Sequence, residues 1–120
     1  MNALAEQALD GKRGQAAALG AAEIAELKQL LANWDIQRDQ QVPHLVREFR
    51  FRNFAAALHF ANTVGALAEE ADHHPALLLE WGKVRVSWWT HSIGALHLND
   101  FIMAARCDRA YLNSPEQDRQ

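Results

Sequence analysis

The chain has 120 residues, 49% hydrophobic and 22% charged, the balance of one soluble globular domain able to bury its own core. A formal net charge of −3 gives no basic field for a nucleic acid backbone, so nucleic acid is not an expected partner. The single cysteine, Cys107, excludes an intrachain disulfide and a zinc-finger pattern, and fits a reducing compartment.

Residues 1–20 are rich in Ala, Gly and Gln with weak periodicity, and are expected to form a flexible leader. They lack the long apolar run of a signal peptide or membrane span, so the expected location is the cytoplasm, without membrane contact. Ile24, Leu27, Leu30 and Leu31 recur at helical spacing and predict an amphipathic helix over 22–32. Trp34 and Ile36 alternate with polar residues as a short strand, and 39–43 forms a turn. Leu45, Phe49 and Phe51 mark a second strand whose apolar face is interrupted, and left partly wet, by Arg47. Asn53 suits the N-cap of a long helix with the stripe Phe54, Leu58, Ala61, Val64, Leu67 and Ala68. That helix should end near Ala71, because Pro75 disfavours helical backbone at the residue before it. Strands over 77–81 and 84–90 follow, joined by a tight turn at Gly82 and Lys83, and a last helix covers 98–112. Residues 113–120 are expected to form a disordered tail.

The order α-β-β-α-β-β-α predicts an α+β domain over 21–112 with two layers: a four-stranded antiparallel sheet with three helices on one face. Alternation along the fourth strand puts Trp88 with Val84 and Val86 in the core. Trp89 falls on the other face with Arg85, Ser87 and His91, where it could line the pocket or cover a subunit interface, the second being the expected role. His44 and His59 are expected to be structural or solvated, and Cys107 inert.

Chemistry concentrates at the junctions. His73 and His74 stand side by side between the long helix and the third strand, and His91 ends the fourth strand. Glu69 lies in the last turn of the long helix and Asp100 in the first turn of the final one. Imidazole titrates near neutrality, at about pH 6.5, so grouped histidines suit proton transfer, with carboxylates to fix a tautomer or hold the charged form. Adjacent histidines do not have the i, i+4 spacing of common zinc enzymes, and no metal is expected. A hairpin turning at Gly82 and Lys83 would set Trp81 against Val84 and bring His74 near His91.

The pattern Glu69-x3-His73-His74-Pro75-x5-Trp81-x9-His91-x8-Asp100 resembles the signature of the pterin-4a-carbinolamine dehydratases. Thr90, Gly94 and the pair Asn53-Phe54 are similar to that family as well, and the likeness runs from about Ala21 to Leu112. The resemblance implies loss of water from 4a-hydroxytetrahydropterin to give quinonoid dihydropterin, which recycles the pterin of aromatic amino-acid hydroxylases, with no cofactor. It implies acid and base roles for His73 and His91, and a substrate-holding role for His74. Glu69, Asp72, Pro75, Trp81, Thr90 and Asp100 would bind substrate or support the histidines. It further implies a homodimer or homotetramer.

Ala76 and Leu77 stand where family members often carry an acidic and an aromatic residue, and His97 where many carry Ser or Thr, which puts the fit of the pterin pocket in question. Two other functions stay open at this level. One is a non-catalytic interaction module, as the animal members double as dimerisation cofactors of a transcription factor. The other is a dehydratase-like role in molybdopterin metabolism.

Overall fold

A computed structural model describes residues 3–9 and 18–114. Its elements are α1 (Ala21–Lys28), β1 (Asp35–Asp39), β2 (Val42–Arg50), α2 (Phe54–Ala71), β3 (Ala76–Glu80), β4 (Lys83–Trp88) and α3 (Leu98–Leu112). The four strands form one antiparallel sheet in the order β1-β2-β4-β3, and the helices pack on one face of it, as the sequence predicts. No described helix is long and apolar enough to cross a membrane.

The core lies between sheet and helices. From the strands it takes Leu45, Phe49, Val84, Val86 and Trp88, with Phe51 just after β2; from the helices Ala57, Phe60, Val64, Phe101, Ile102, Ala104 and Cys107. Burial pushes the Cys107 thiol up to about 12, so almost no nucleophilic thiolate forms at neutral pH. Trp34 is fully buried just ahead of β1, and the chain tightens into successive three-residue turns to place it there. This ends α1 at Lys28 and leaves Leu31 buried outside the helix, where the apolar spacing alone predicts helix to residue 32.

Arg47 is not wet. It pairs with Asp108 at 2.6 Å, and its guanidinium lies 4.3 Å from the Phe49 ring centroid. Burial raises the Asp108 pKa, while the Trp34 indole N–H at 2.8 Å and Arg47 oppose the shift. The expected leader contains a 3-10 turn, Ala3–Glu6, that buries Leu4 and Ala5 against α3. Arg106 fastens it by donating to the carbonyls of Ala5 and Gln7.

The β1–β2 turn narrows to Gln40 and Gln41, both at positive φ, as in a two-residue hairpin of right-handed twist. The β3–β4 turn sits one residue earlier than expected, at Trp81 and Gly82, with Glu80 opposite Lys83. The cause lies across the sheet. Phe51 donates its N–H to the Gly82 carbonyl at 2.8 Å, and a Cβ on Gly82 would stand 2.7 Å from the Phe51 oxygen. Only glycine allows the turn to close on β2. Gly82→Ala is therefore expected to destabilise the fold by about 1–3 kcal/mol, the usual cost of a forced backbone shift, as read by urea unfolding. An unchanged midpoint would show that the turn yields freely.

Candidate active site

All the junction residues sit at the end of the sheet where β3 begins and β4 ends. Asn53 caps α2 by accepting from the Ala56 N–H at 2.8 Å. The other end of α2 closes on Asp72, which takes left-handed backbone (φ 52°, ψ 42°) and donates its N–H to the carbonyls of Ala68 and Glu69. Aspartate is among the few non-glycine residues that tolerate this conformation. The reversal at Asp72, followed by Pro75, directs His73 and His74 to different partners.

His73 turns inward. Its ring lies parallel to that of Trp88, with centroids 5.6 Å apart, and its Nε2 is 2.6 Å from Asp100 Oδ1. The Asp100 side chain is fully buried and that of His73 is 16% exposed. The second Asp100 oxygen accepts from Thr90 Oγ1 at 2.8 Å and from the His97 N–H at 2.9 Å. With its oxygens occupied by three donors, Asp100 is held as the acceptor of a charge-assisted network. His97 in turn is the N-cap of α3, its Nδ1 accepting from the Asn99 N–H at 3.1 Å. The residue that replaces the usual Ser or Thr thus performs the same capping task.

His74 turns outward, with its Nε2 2.6 Å from Glu69 Oε1; the two side chains are 51% and 80% exposed. His91 is exposed and its Nε2 donates to the His74 carbonyl at 3.3 Å. The three histidines thus share one arrangement. Each directs Nε2 at an oxygen that accepts, two carboxylates and a carbonyl, so each neutral ring carries its proton on Nε2 and its lone pair on Nδ1.

The loop after β4 is closed by a bridge between Thr90 and Ala95. Gly94 sits in it at φ 58°, a left-handed position that suits glycine, and donates to the Thr90 carbonyl.

Two hollows flank the cluster. One, of about 600 Å³, lies between α2 and β3 and is lined by residues including Leu58, Gly65, Glu69, His74, Pro75 and Leu77. The other, of about 330 Å³, lies on the open sheet face and includes His44, Ala76, Arg85, Ser87 and Trp89. Ala76 and Leu77, the two departures after the proline, fall one in each.

The observed register differs from the expected one by two residues: Ala76 pairs with Ser87 and Leu77 with Val86. A two-residue shift keeps every side chain on its face. Trp81 stands at the turn end of the hairpin in either register and does not join the cluster. It is 70% exposed in the turn, five residues from Ala76 and so about 17 Å along the strand at about 3.3 Å per residue.

His44, expected to be structural or solvated, takes the structural role and lies in the site region. It is buried and stacks on Trp89, with centroids 3.9 Å apart and planes 4° apart. The signal was the alternation of β2: His44, Val46, Glu48 and Arg50 share the open face, which makes His44 the cross-strand neighbour of Trp89 once Leu45 is paired with Trp88. Burial lowers the His44 pKa; Asp39 opposes the shift and the charge of His91 adds to it. Among the described residues, no three His, Cys, Asp or Glu side chains converge as a metal site.

Fold and site together define a class: a small two-layer α+β domain displaying carboxylate-anchored histidines at one end of its sheet. Residues 17–110 match the family model described as pterin 4 alpha carbinolamine dehydratase. A relative from Microcystis aeruginosa assigned to that family is 46% identical over 111 residues, 92% of this chain and 96% of its own length. Another, from Gloeobacter violaceus, is 51% identical over 105 residues, 88% of this chain and 90% of its own. A crystal structure described as a transcriptional coactivator/pterin dehydratase from Brucella melitensis superposes with a TM-score of 0.70 at 28% identity, covering 78% of this chain and 97% of that one. A pterin dehydratase-like protein identified as a RuBisCO assembly factor in the alpha-carboxysome gives 0.56 at 25% identity, covering 68% and 92%. The chain belongs to the pterin-4a-carbinolamine dehydratase family.

Proposed function

We propose that this protein dehydrates 4a-hydroxytetrahydropterin to quinonoid dihydropterin, in the recycling of the pterin used by aromatic amino-acid hydroxylases. The observation that carries the reading is the buried Asp100, which takes His73, Thr90 and the head of α3 into one network and fixes the His73 tautomer. An imidazolium delivers its proton to the 4a-hydroxyl, and the carbon–oxygen bond breaks to release water. A neutral imidazole takes the proton from the adjacent ring nitrogen as the carbon–nitrogen double bond forms. One histidine loses a proton and the other gains one, so the step balances without a metal or redox cofactor. In this reading His73 and His91 are the acid–base pair, and His74, held by Glu69, binds and polarises the substrate. The test is the rate of dehydration of 4a-hydroxytetrahydropterin with and without the protein. A folded protein that gives no acceleration would overturn the reading in favour of a non-catalytic interaction module.

We further propose that the domain works as a homodimer or homotetramer. Leu58, Leu77, Leu78 and Trp81 are apolar and exposed; Leu58 and Leu77 line the hollow between α2 and β3, and Leu78 and Trp81 lie along β3 and its turn. Apolar surface of this kind is commonly covered by another subunit. Light scattering at micromolar concentration should give at least twice the 13.5 kDa monomer mass; a monomer alone would refute the assembly.

A further inference from the structure

Of the three histidines, His91 has the weakest visible support. Its ring is exposed, and among the described residues its one hydrogen bond is the 3.3 Å contact with the His74 carbonyl, at the long end of the hydrogen-bond range. Its ring also packs on Trp89, whose ring centroid is 4.3 Å away at an interplanar angle of 33°. Trp89 stands on the open sheet face and is itself matched almost plane to plane by His44. His44 comes from the neighbouring strand, and its own cross-strand partner on the far side is Gln37 of β1. A line of residues thus runs across the sheet from β1 through β2 to β4 and ends in three touching rings, His44, Trp89 and His91.

We infer that Trp89, held flat by His44, is a positioning residue that sets the ring of His91 for proton transfer. The inference rests on the dehydratase reading for its consequence in catalysis, and on the ring geometry alone for the contact itself. The two supports of His91 act on different degrees of freedom. The hydrogen bond fixes which nitrogen carries the proton, whereas the indole restricts rotation of an exposed imidazole that would otherwise move among rotamers. Trp89 acts through His91, and His44 acts through Trp89. The roles of Trp88 and Trp89 therefore differ although they are adjacent: Trp88 supports His73 from the core, and Trp89 supports His91 from the open face.

Misplacing a catalytic group by 1 Å can cost about 100-fold in rate. Loosening His91 without removing it should cost less, about 10-fold in kcat with KM close to unchanged. The experiment pairs turnover with NMR of the histidine Cε1 protons in the full, substrate-free chain, the His91 signal being assigned by its loss in His91→Ala. The indole ring current should displace the His91 signal in the wild type. Trp89→Leu should return it towards the value of a free imidazole and lower kcat about 10-fold. Trp89→Phe, and His44→Phe as against His44→Ala, should restore much of both. An unmoved His91 signal in a folded Trp89→Leu protein would overturn the inference, as would a moved signal with unchanged kcat. Should Trp89→Leu fail to fold, His44→Ala and His44→Phe decide alone: equal signals and equal rates in these two would refute it. A wild type without turnover would overturn the dehydratase reading, while the ring-current displacement, which needs no substrate, would still decide the contact.

Discussion

His73→Ala and His91→Ala are each expected to lower dehydration turnover by about 10²–10⁴-fold, the usual cost of removing one acid–base group. The two variants should differ in stability. His91 is exposed and among the described residues makes one long hydrogen bond, so its loss should change folding free energy by no more than about 0.5 kcal/mol. His73 is mostly buried and supplies one of the three donors to Asp100, so its loss leaves a buried oxygen short of a partner, at a cost of about 1–3 kcal/mol. His91→Ala is thus the cleaner kinetic probe. Steady-state assays beside thermal unfolding separate the two effects. A chelator should leave the wild-type rate unchanged, because the proposed step needs only imidazole. Full activity in either variant, or loss of activity on chelation, would overturn the mechanism.

The features legible in the sequence were those with strong local causes. The stripe on α2, the cap at Asn53, the alternation of β4 and the proline after the histidine pair each act within a few residues, and they give the element order and the antiparallel two-layer architecture. The signature spacing also brought His73, His74, His91, Glu69 and Asp100 into consideration together, and the structure joins four of them in two pairs, His73 with Asp100 and His74 with Glu69. What escaped depends on contacts between distant segments. The register of the β3–β4 hairpin is fixed by Phe51 meeting Gly82 across the sheet, which sets Ala76 against Ser87 rather than Trp89. Arg47 looks like a break in an apolar face until Asp108, 61 residues away, is seen to neutralise it. His44 is left between a structural and a solvated role until β2 is paired with β4 in the observed register, which sets it against Trp89. The left-handed backbone at Asp72 is similar: proline explains why the helix stops, but not how the two histidines part.

Asp100→Asn is expected to lower turnover by about 10²–10⁴-fold while leaving the fold nearly intact, and the reason is the tautomer of His73. Thr90 Oγ1 and the His97 N–H both donate to one oxygen of Asp100, so the carbonyl oxygen of an asparagine will settle there. Its NH₂ group is then left facing His73 Nε2, where the carboxylate had accepted. Two donors cannot meet, so the neutral ring must place its lone pair on Nε2 and its proton on Nδ1, the reverse of the arrangement read here. The imidazolium form also loses its buried counter-charge. A comparable substitution behind a catalytic histidine in serine proteases costs about 10⁴-fold through the same inversion. Asp100→Ala should behave differently. It leaves Thr90, His97 and His73 without their shared acceptor in a fully buried position, which should cost about 3 kcal/mol and lower Tm by about 12 °C or more for a domain near this size. Stability and rate therefore separate in asparagine and fall together in alanine. An Asp100→Asn protein that keeps wild-type turnover would show that the buried carboxylate is a cap for α3 and nothing more.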